Sequence, residues 1–238
     1  SILTLRTKEG IVFNVDARLR PSGNAGVLVV SRSAFADYHR GSTQVWERQA
    51  FIKARMAAGD PSLGRDVVEE LSMIVYSKPL TPGDLAEMLR IRGRMEVEIA
   101  KEDPDRYNIK TGRGSIVDIE FLTQALQLSA GVDRRFRTQY TPKALKRLCS
   151  GGLISAEDYG FLKEAYSFYR LIEQRLRVVH DRPEGNIYRR SDELSTLAAL
   201  SGYNTEGGAE KLWAECTGYR EKTRELYIKI LEALKKNM

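Results

Sequence analysis

Thr81-Pro82 and Thr141-Pro142 are one device used twice, a capping threonine with proline at the first helical position, where a missing N–H costs nothing. The first predicts a long helix to about 101, ended by Pro104. The second predicts one over about 142–149. Ser115 with Asp118, and Ser155 with Asp158, have the S-x-x-D form of a helix start. Further helices are expected at about 115–130, 156–181, 192–201 and 208–236, which makes 77–238 a helical domain. Ser77-Lys78-Pro79 is the best candidate boundary before it.

Upstream the pattern changes. Residues 11–20 alternate, with Ile11, Phe13, Val15, Ala17 and Leu19 on one face and Asn14, Asp16, Arg18 and Arg20 on the other. Residues 2–6 are a shorter strand candidate. After the turn-rich Pro21-Ser22-Gly23-Asn24-Ala25-Gly26, residues 27–30 read as a returning strand. Helices follow from a Ser33 cap to about 41, over about 43–58, and over 65–77. The fold class expected is mainly α with a small antiparallel β portion. Three strands are too few for an independent sheet domain, so 1–76 is expected to be the latter part of a larger α/β domain.

Composition closes off several functions. The 238 residues are 42% hydrophobic and 29% charged, as in globular rather than disordered proteins. No apolar run is long enough to span a bilayer, and no secretory leader is visible. Cys149 and Cys216 lie far apart and outside any ligand spacing. That suits a reducing cytoplasm and excludes a disulfide scaffold or a Cys-based zinc site. With only His39 and His180, a multi-histidine metal centre is excluded as well. The net charge of +6 is spread thinly. Its densest stretch (Arg134, Arg135, Arg137, Lys143, Lys146 and Arg147) suits either phosphates or a solvated helix face. No nucleic-acid motif or aromatic platform accompanies it.

Three stretches carry candidate chemistry. Asp16 shares a strand face with Arg18 and Arg20, so its carboxylate stays ionised and suits Mg²⁺ beside phosphate-holding groups. A charge-paired, solvated sheet face explains the same pattern. In the second stretch Trp46 and Lys53 share a helix face, with Arg55 adjoining, and a lysine there reaches a triphosphate. Alternatively Trp46 anchors a core and the cations are solvated. Third, Asn108-Ile109-Lys110-Thr111-Gly112-Arg113-Gly114-Ser115 is a basic, glycine-rich turn feeding a helix, a form that cradles anions. It is neither a P-loop nor a dinucleotide fingerprint. Asp118 and Glu120 beyond it also suit the helix dipole alone.

Together these stretches resemble the bacterial glutamine synthetase adenylyltransferase family (glutamate–ammonia-ligase adenylyltransferase). The matching pieces are residues 15–23, then Trp46-Glu47-x-x-Ala50-x-x-Lys53-Ala54-Arg55, then Ile109-Lys110-Thr111-Gly112-x-Gly114 leading into Asp118-Ile119-Glu120-Phe121. The resemblance implies a polymerase-β-type nucleotidyltransferase domain (here partial, 1–76) followed by a helical bundle (77–238). It implies Asp16 as catalytic carboxylate and ligand of Mg²⁺ or Mn²⁺. Nucleotide contacts would be Arg18, Arg20, Ser22, Gly23, Lys53, Arg55, Lys110, Gly112 and Gly114, supported by Trp46, Glu47, Asp118 and Glu120. ATP is the implied substrate, glutamine synthetase the protein acted on, and a PII signalling protein a partner.

The family's G-S-x-D-x-D motif, source of the other two carboxylates, does not occur; Gly41-Ser42-Thr43 lacks them. A piece of the catalytic domain, inactive by itself, is therefore expected. Ser115 stands where the family usually has glycine. The form of 17–23 and Asp118 resemble the AMP-attaching C-terminal module more than the AMP-removing one. A non-catalytic helical module that binds glutamine synthetase or a PII protein is the alternative of a different class.

Overall fold

A computed structural model describes residues 8, 10, 15–180 and 184–238. The strand candidate 2–6 and the segment 11–14 lie outside them. The chain divides into two compact units, Ser1–Ile74 and Val75–Met238, each described by itself.

The first unit holds the helices α1 (Arg32–Ser42), α2 (Val45–Phe51) and α3 (Pro61–Val75). Of the strand expected over 11–20 the described part, 15–20, is not a strand, and neither is 27–30. Backbone hydrogen bonds close locally instead, from the Arg20 N–H to the Ala17 carbonyl (3.3 Å) and from the Gly23 N–H to the Arg20 carbonyl (2.8 Å). The reason is turn chemistry: Ser22 and Gly23 both sit in the left-handed region, at φ 61° and 53°, where glycine alone is at ease. Ser31 rather than Ser33 caps α1, its hydroxyl accepting from the Ala34 N–H at 3.2 Å. α2 ends well short of 58, its last turn tightening to bonds from Lys53 N–H to Ala50 carbonyl and from Ala54 N–H to Phe51 carbonyl. Asp60 starts α3 earlier than expected by accepting from the Ser62 and Leu63 N–H groups (2.9 and 2.8 Å).

α1 and α3 are tied by charge. Arg32 reaches Asp66 at 2.8 Å and Glu70 at 3.4 Å, and Arg40 also bonds Glu70. His39 is buried among Phe35, Tyr38 and Phe51, with ring centroids 4.5, 5.0 and 4.9 Å away. Loss of water lowers its pKa.

The second unit matches its sequence pattern closely. Its helices are α4 (Pro82–Arg94), α5 (Ile116–Ala130), α6 (Thr141–Ser150), α7 (Ala156–His180), α8 (Asp192–Leu200) and α9 (Gly208–Lys236). A π-helical turn, Met95–Ala100, extends α4 to the expected end. Thr81 caps α4 in a reciprocal box: its hydroxyl accepts from the Asp84 N–H, and the Asp84 carboxylate accepts from the Thr81 N–H, both at 3.1 Å. Thr81→Ala is expected to cost about 1 kcal/mol, read as a shift in the urea midpoint of unfolding. Thr141 departs from its expected role, since Tyr140 takes the N-cap position and Thr141 lies in the first turn.

α5 is buried on almost every side, with α4, α6, α7 and α9 packed against it. Ile119, Leu122 and Leu128 are completely enclosed. Helices this evenly apolar are central ones. A small antiparallel β portion lies in this unit. β1 (Arg106–Asn108) pairs β2 (Asn186–Tyr188), with Tyr107 opposite Ile187.

Candidate functional site

Asp16 is exposed beside Arg18, off any strand. The Arg18 Nε lies 2.9 Å from each carboxylate oxygen, its NH2 lies 2.6 Å from Oδ2, and its backbone N–H donates to Oδ1 at 3.0 Å. These bonds hold the Asp16 pKa down, from 3.8 to about 2. The group is therefore ionised throughout the neutral range, and the pairing is lost only as pH falls through about 2. A carboxyl ¹³C titration should place the Asp16 midpoint below that of a free aspartate. A midpoint at or above 3.8 would mean that the pairing does not exist in solution.

Arg20 does not stand beside them as a free cation. Its guanidinium donates to the carbonyls of Gly26 (3.1 Å), Ala17 (2.9 Å) and Asn24 (3.4 Å), so it organises the loop that carries Ser22 and Gly23. Ser22 is exposed and Gly23 half-buried at the turn's tip.

The stretch around α2 is rearranged relative to expectation. Lys53 and Arg55 lie past the end of the helix, both exposed, so Trp46 and Lys53 do not share a helix face. Trp46 is 39% exposed and not a core anchor. Glu47 is buried, and its carboxylate accepts from the Gln44 N–H at 2.8 Å. It caps α2.

In the second unit the glycine-rich turn is not an open anion cradle. Asn108 Oδ1 accepts from the Lys110 and Thr111 N–H groups (3.1 and 2.8 Å). The Gly112 N–H donates to the Asn108 carbonyl (2.9 Å), Arg113 to Glu102 (3.2 Å) and Gly114 to Asp118 (2.8 Å). Every amide from 110 to 114 thus has a partner inside the chain. Gly114, at φ +70°, lies so close to α9 that a Cβ would overlap the Arg220 carbonyl. The hydroxyls of Tyr169 and Tyr107 both donate to the Gly114 carbonyl, at 2.7 and 3.3 Å. Ser115 marks the N-cap but donates to the Lys110 carbonyl (2.7 Å) and caps nothing.

Asp118 belongs to a buried charge network. Its Oδ1 accepts from Arg92 Nε at 2.5 Å, and its Oδ2 from Arg224 NH1 at 3.1 Å as well as from Gly114. Arg92 also holds the carbonyls of Thr111 (3.0 Å) and Gly112 (2.5 Å). Asp118 thereby braces the turn and does more than complement a dipole. Two motif side chains do reach one surface, that of α7: Lys110 approaches Glu173 at 3.7 Å, and Glu120 accepts from the Tyr166 hydroxyl at 3.1 Å.

Sequence reasoning missed Arg92 and Glu173. Their signal was present, because Arg92 follows Leu85 and Met88 on one helical stripe, and Glu173 falls among Tyr169, Ile172 and Leu176. A charge at an apolar position on a stripe marks a buried pair.

A carboxylate such as Asp16 suits Mg²⁺, yet both its oxygens accept from Arg18. Among the described residues no group of three or more His, Cys, Asp or Glu side chains could hold a metal ion. These residues alone do not make a complete divalent-ion site. Among the same residues no helix is long and apolar enough to cross a membrane.

Residues 1–70 match the family profile of glutamate–ammonia ligase adenylyltransferase, and residues 89–231 match that of GlnD PII-uridylyltransferase. Similar curated proteins include one from Cutibacterium acnes, 37% identical over 86% of this chain and 21% of its own length. Others come from Hahella chejuensis, 32% identical over 92% of this chain and 22% of its own, and Rhodopseudomonas palustris, 31% over 97% and 23%. All three are named bifunctional glutamine synthetase adenylyltransferase/adenylyl-removing enzyme. The chain spans about a fifth of the length of these relatives. With its first 70 residues matching that adenylyltransferase profile and 86–97% of its length aligning with these relatives, the chain belongs to the glutamine synthetase adenylyltransferase family.

Proposed function

We propose that this chain is part of an enzyme that transfers AMP from ATP to a tyrosine of glutamine synthetase, releasing pyrophosphate. The observation that carries this reading is the exposed Asp16 carboxylate, held ionised by Arg18 in the stretch where the sequence resembles the family's nucleotidyltransferase. Asp16 is the chain's contribution to a Mg²⁺ or Mn²⁺ site, completed by carboxylates outside the described residues. Such an ion, when bound, orients phosphates and offsets developing charge.

This chain's own residues supply position and charge. Arg18 keeps Asp16 deprotonated and fixes its orientation. Arg20 shapes the loop at Ser22 and Gly23, and at Gly23 a phosphate can approach backbone without obstruction from a Cβ. Lys53 and Arg55 add exposed positive charge in the same unit. In the second unit, taken by itself, Lys110 is a proposed phosphate contact. Gly112 and Gly114, with their amides occupied, allow close packing of its turn.

Removal of AMP by phosphorolysis is the same chemistry reversed, and the relatives' names carry both activities. The form of 17–23 and Asp118 favour attachment. A whole enzyme carrying this chain should add AMP to glutamine synthetase when given ATP and Mg²⁺. A requirement for inorganic phosphate, with loss of AMP from modified synthetase, would assign the removing role instead. A PII signalling protein is the proposed regulatory partner, testable by pull-down with the second unit's surface intact.

A further inference from the structure

α7 carries a carboxylate that nothing above employs. Glu173 is only 4% exposed, and three cations converge on it. Arg170 NH1 lies 2.6 Å from Oε2, while Arg177 NH2 and Lys110 Nζ lie 3.4 and 3.7 Å from Oε1. All three cations are about half exposed.

One cation neutralises a buried carboxylate. Three exceed the charge of Glu173 by two, and Glu120, bonded to Tyr166 one turn along α7, is the further carboxylate beside them. Like charges so close repel one another, which stability alone does not favour and a compact polyanion relieves. Along α7, Tyr166, which donates to Glu120, precedes Arg170 by one turn, and His180, 3.8 Å from Glu193, follows Arg177 by about one turn. By contrast, a cleft of about 430 Å³ lined by Arg113, Arg220, Arg224, Glu221, Glu225 and Ile228 is balanced by its own acids. Its Arg220 is taken by Glu102 and its Arg224 by Glu96 and Asp118.

We propose that Lys110, Arg170 and Arg177, gathered by Glu173, bind the phosphate chain of a polyphosphate ligand. Three cations around one point face a single compact anion and not the spaced carboxylates of an acidic peptide. Guanidinium forks also match phosphate oxygens. Glu173 is a positioning residue, since it touches the cations and not the ligand. The site takes Lys110 as a phosphate contact from the function proposed above, but it stands without any role for Asp16.

The test is calorimetric titration of this chain at low salt with pyrophosphate, ATP and AMP. Pyrophosphate and ATP should bind with similar affinity and AMP more weakly. Arg170→Gln, Arg177→Gln and Lys110→Gln should each weaken pyrophosphate binding about tenfold, while a Lys143→Gln/Lys146→Gln control leaves it within about twofold. Glu173→Gln adds net positive charge, yet it should weaken binding because the cations are no longer gathered. Circular dichroism melts check that each variant is folded, and Lys110→Gln, on an exposed side chain, remains informative if an α7 variant is not. Absence of binding, equal loss in the control, AMP matching ATP, a hexaglutamate peptide outbinding pyrophosphate, or tighter binding by Glu173→Gln would each overturn the proposal. Because the readout is binding by the chain itself, it can fail while AMP transfer by a whole enzyme succeeds, and the reverse.

Discussion

Asp118→Asn is expected to destabilise the helical unit by about 3–5 kcal/mol, the cost of leaving a buried charge without its partner. Arg92 is 1% exposed and Asp118 fully buried, so water cannot replace the lost bond. The amide is nearly the same size as the carboxylate, which rules out a cavity as the cause. Both Asp118 oxygens accept hydrogen bonds, Oδ1 from Arg92 and Oδ2 from Gly114 and Arg224. Either orientation of an asparagine therefore points an NH₂ at a donor. Replacing Asp118 and Arg92 together by apolar residues would not restore stability, because the carbonyls of Thr111 and Gly112 and the Gly114 N–H would be stranded. Urea unfolding followed by far-UV circular dichroism measures the effect. A loss below about 1 kcal/mol would mean that the network is not what holds the turn to α4 and α9.

Asp16→Asn in a whole enzyme carrying this chain should lower AMP transfer by several kcal/mol of barrier, on the order of a thousandfold or more. The folded structure should be unaffected, since Asp16 is exposed and its partner among the described residues is its near neighbour Arg18. Asparagine keeps one accepting oxygen for Arg18 but loses the charge a divalent ion requires. Stability and activity thus separate between the two carboxylates: Asp118 is expected to fail in the urea series, and Asp16 only in turnover. An Asp16→Asn enzyme with near-normal turnover would remove Asp16 from the chemistry and leave Arg18 as its reason for being charged.

The sequence was most legible where helices carry their own punctuation. Thr81 with Pro82 and the Ser155–Asp158 start of α7 are local signals, and the structure places those helices within a residue or two. It was least legible before Ser31. There the alternation of 15–20 is a real pattern, but a strand exists only when a neighbour supplies its ladder. Among the described residues Arg20 takes the loop carbonyls instead. β1 and β2 were invisible for another reason, since three residues are too few to show a period of two. For the candidate site, residue types were easier to read than roles. Glu47 and Asp118 were named as supporting residues, and both prove to be backbone braces whose partners, Gln44 and Gly114, are amides that no side-chain motif displays. Lys110 and Glu120 were named without a direction; their shared approach to α7 depends on the packing of helices distant in sequence.

The most direct measurement is the intact mass of glutamine synthetase after incubation with ATP and Mg²⁺, in the presence of a whole enzyme carrying this chain, its Asp16→Asn variant, or the chain alone. One AMP gained per synthetase subunit is expected with the whole enzyme, and none with the variant or with the chain alone. Equal gain with the Asp16→Asn variant would contradict it, as would loss of AMP from modified synthetase on supply of phosphate with no gain from ATP.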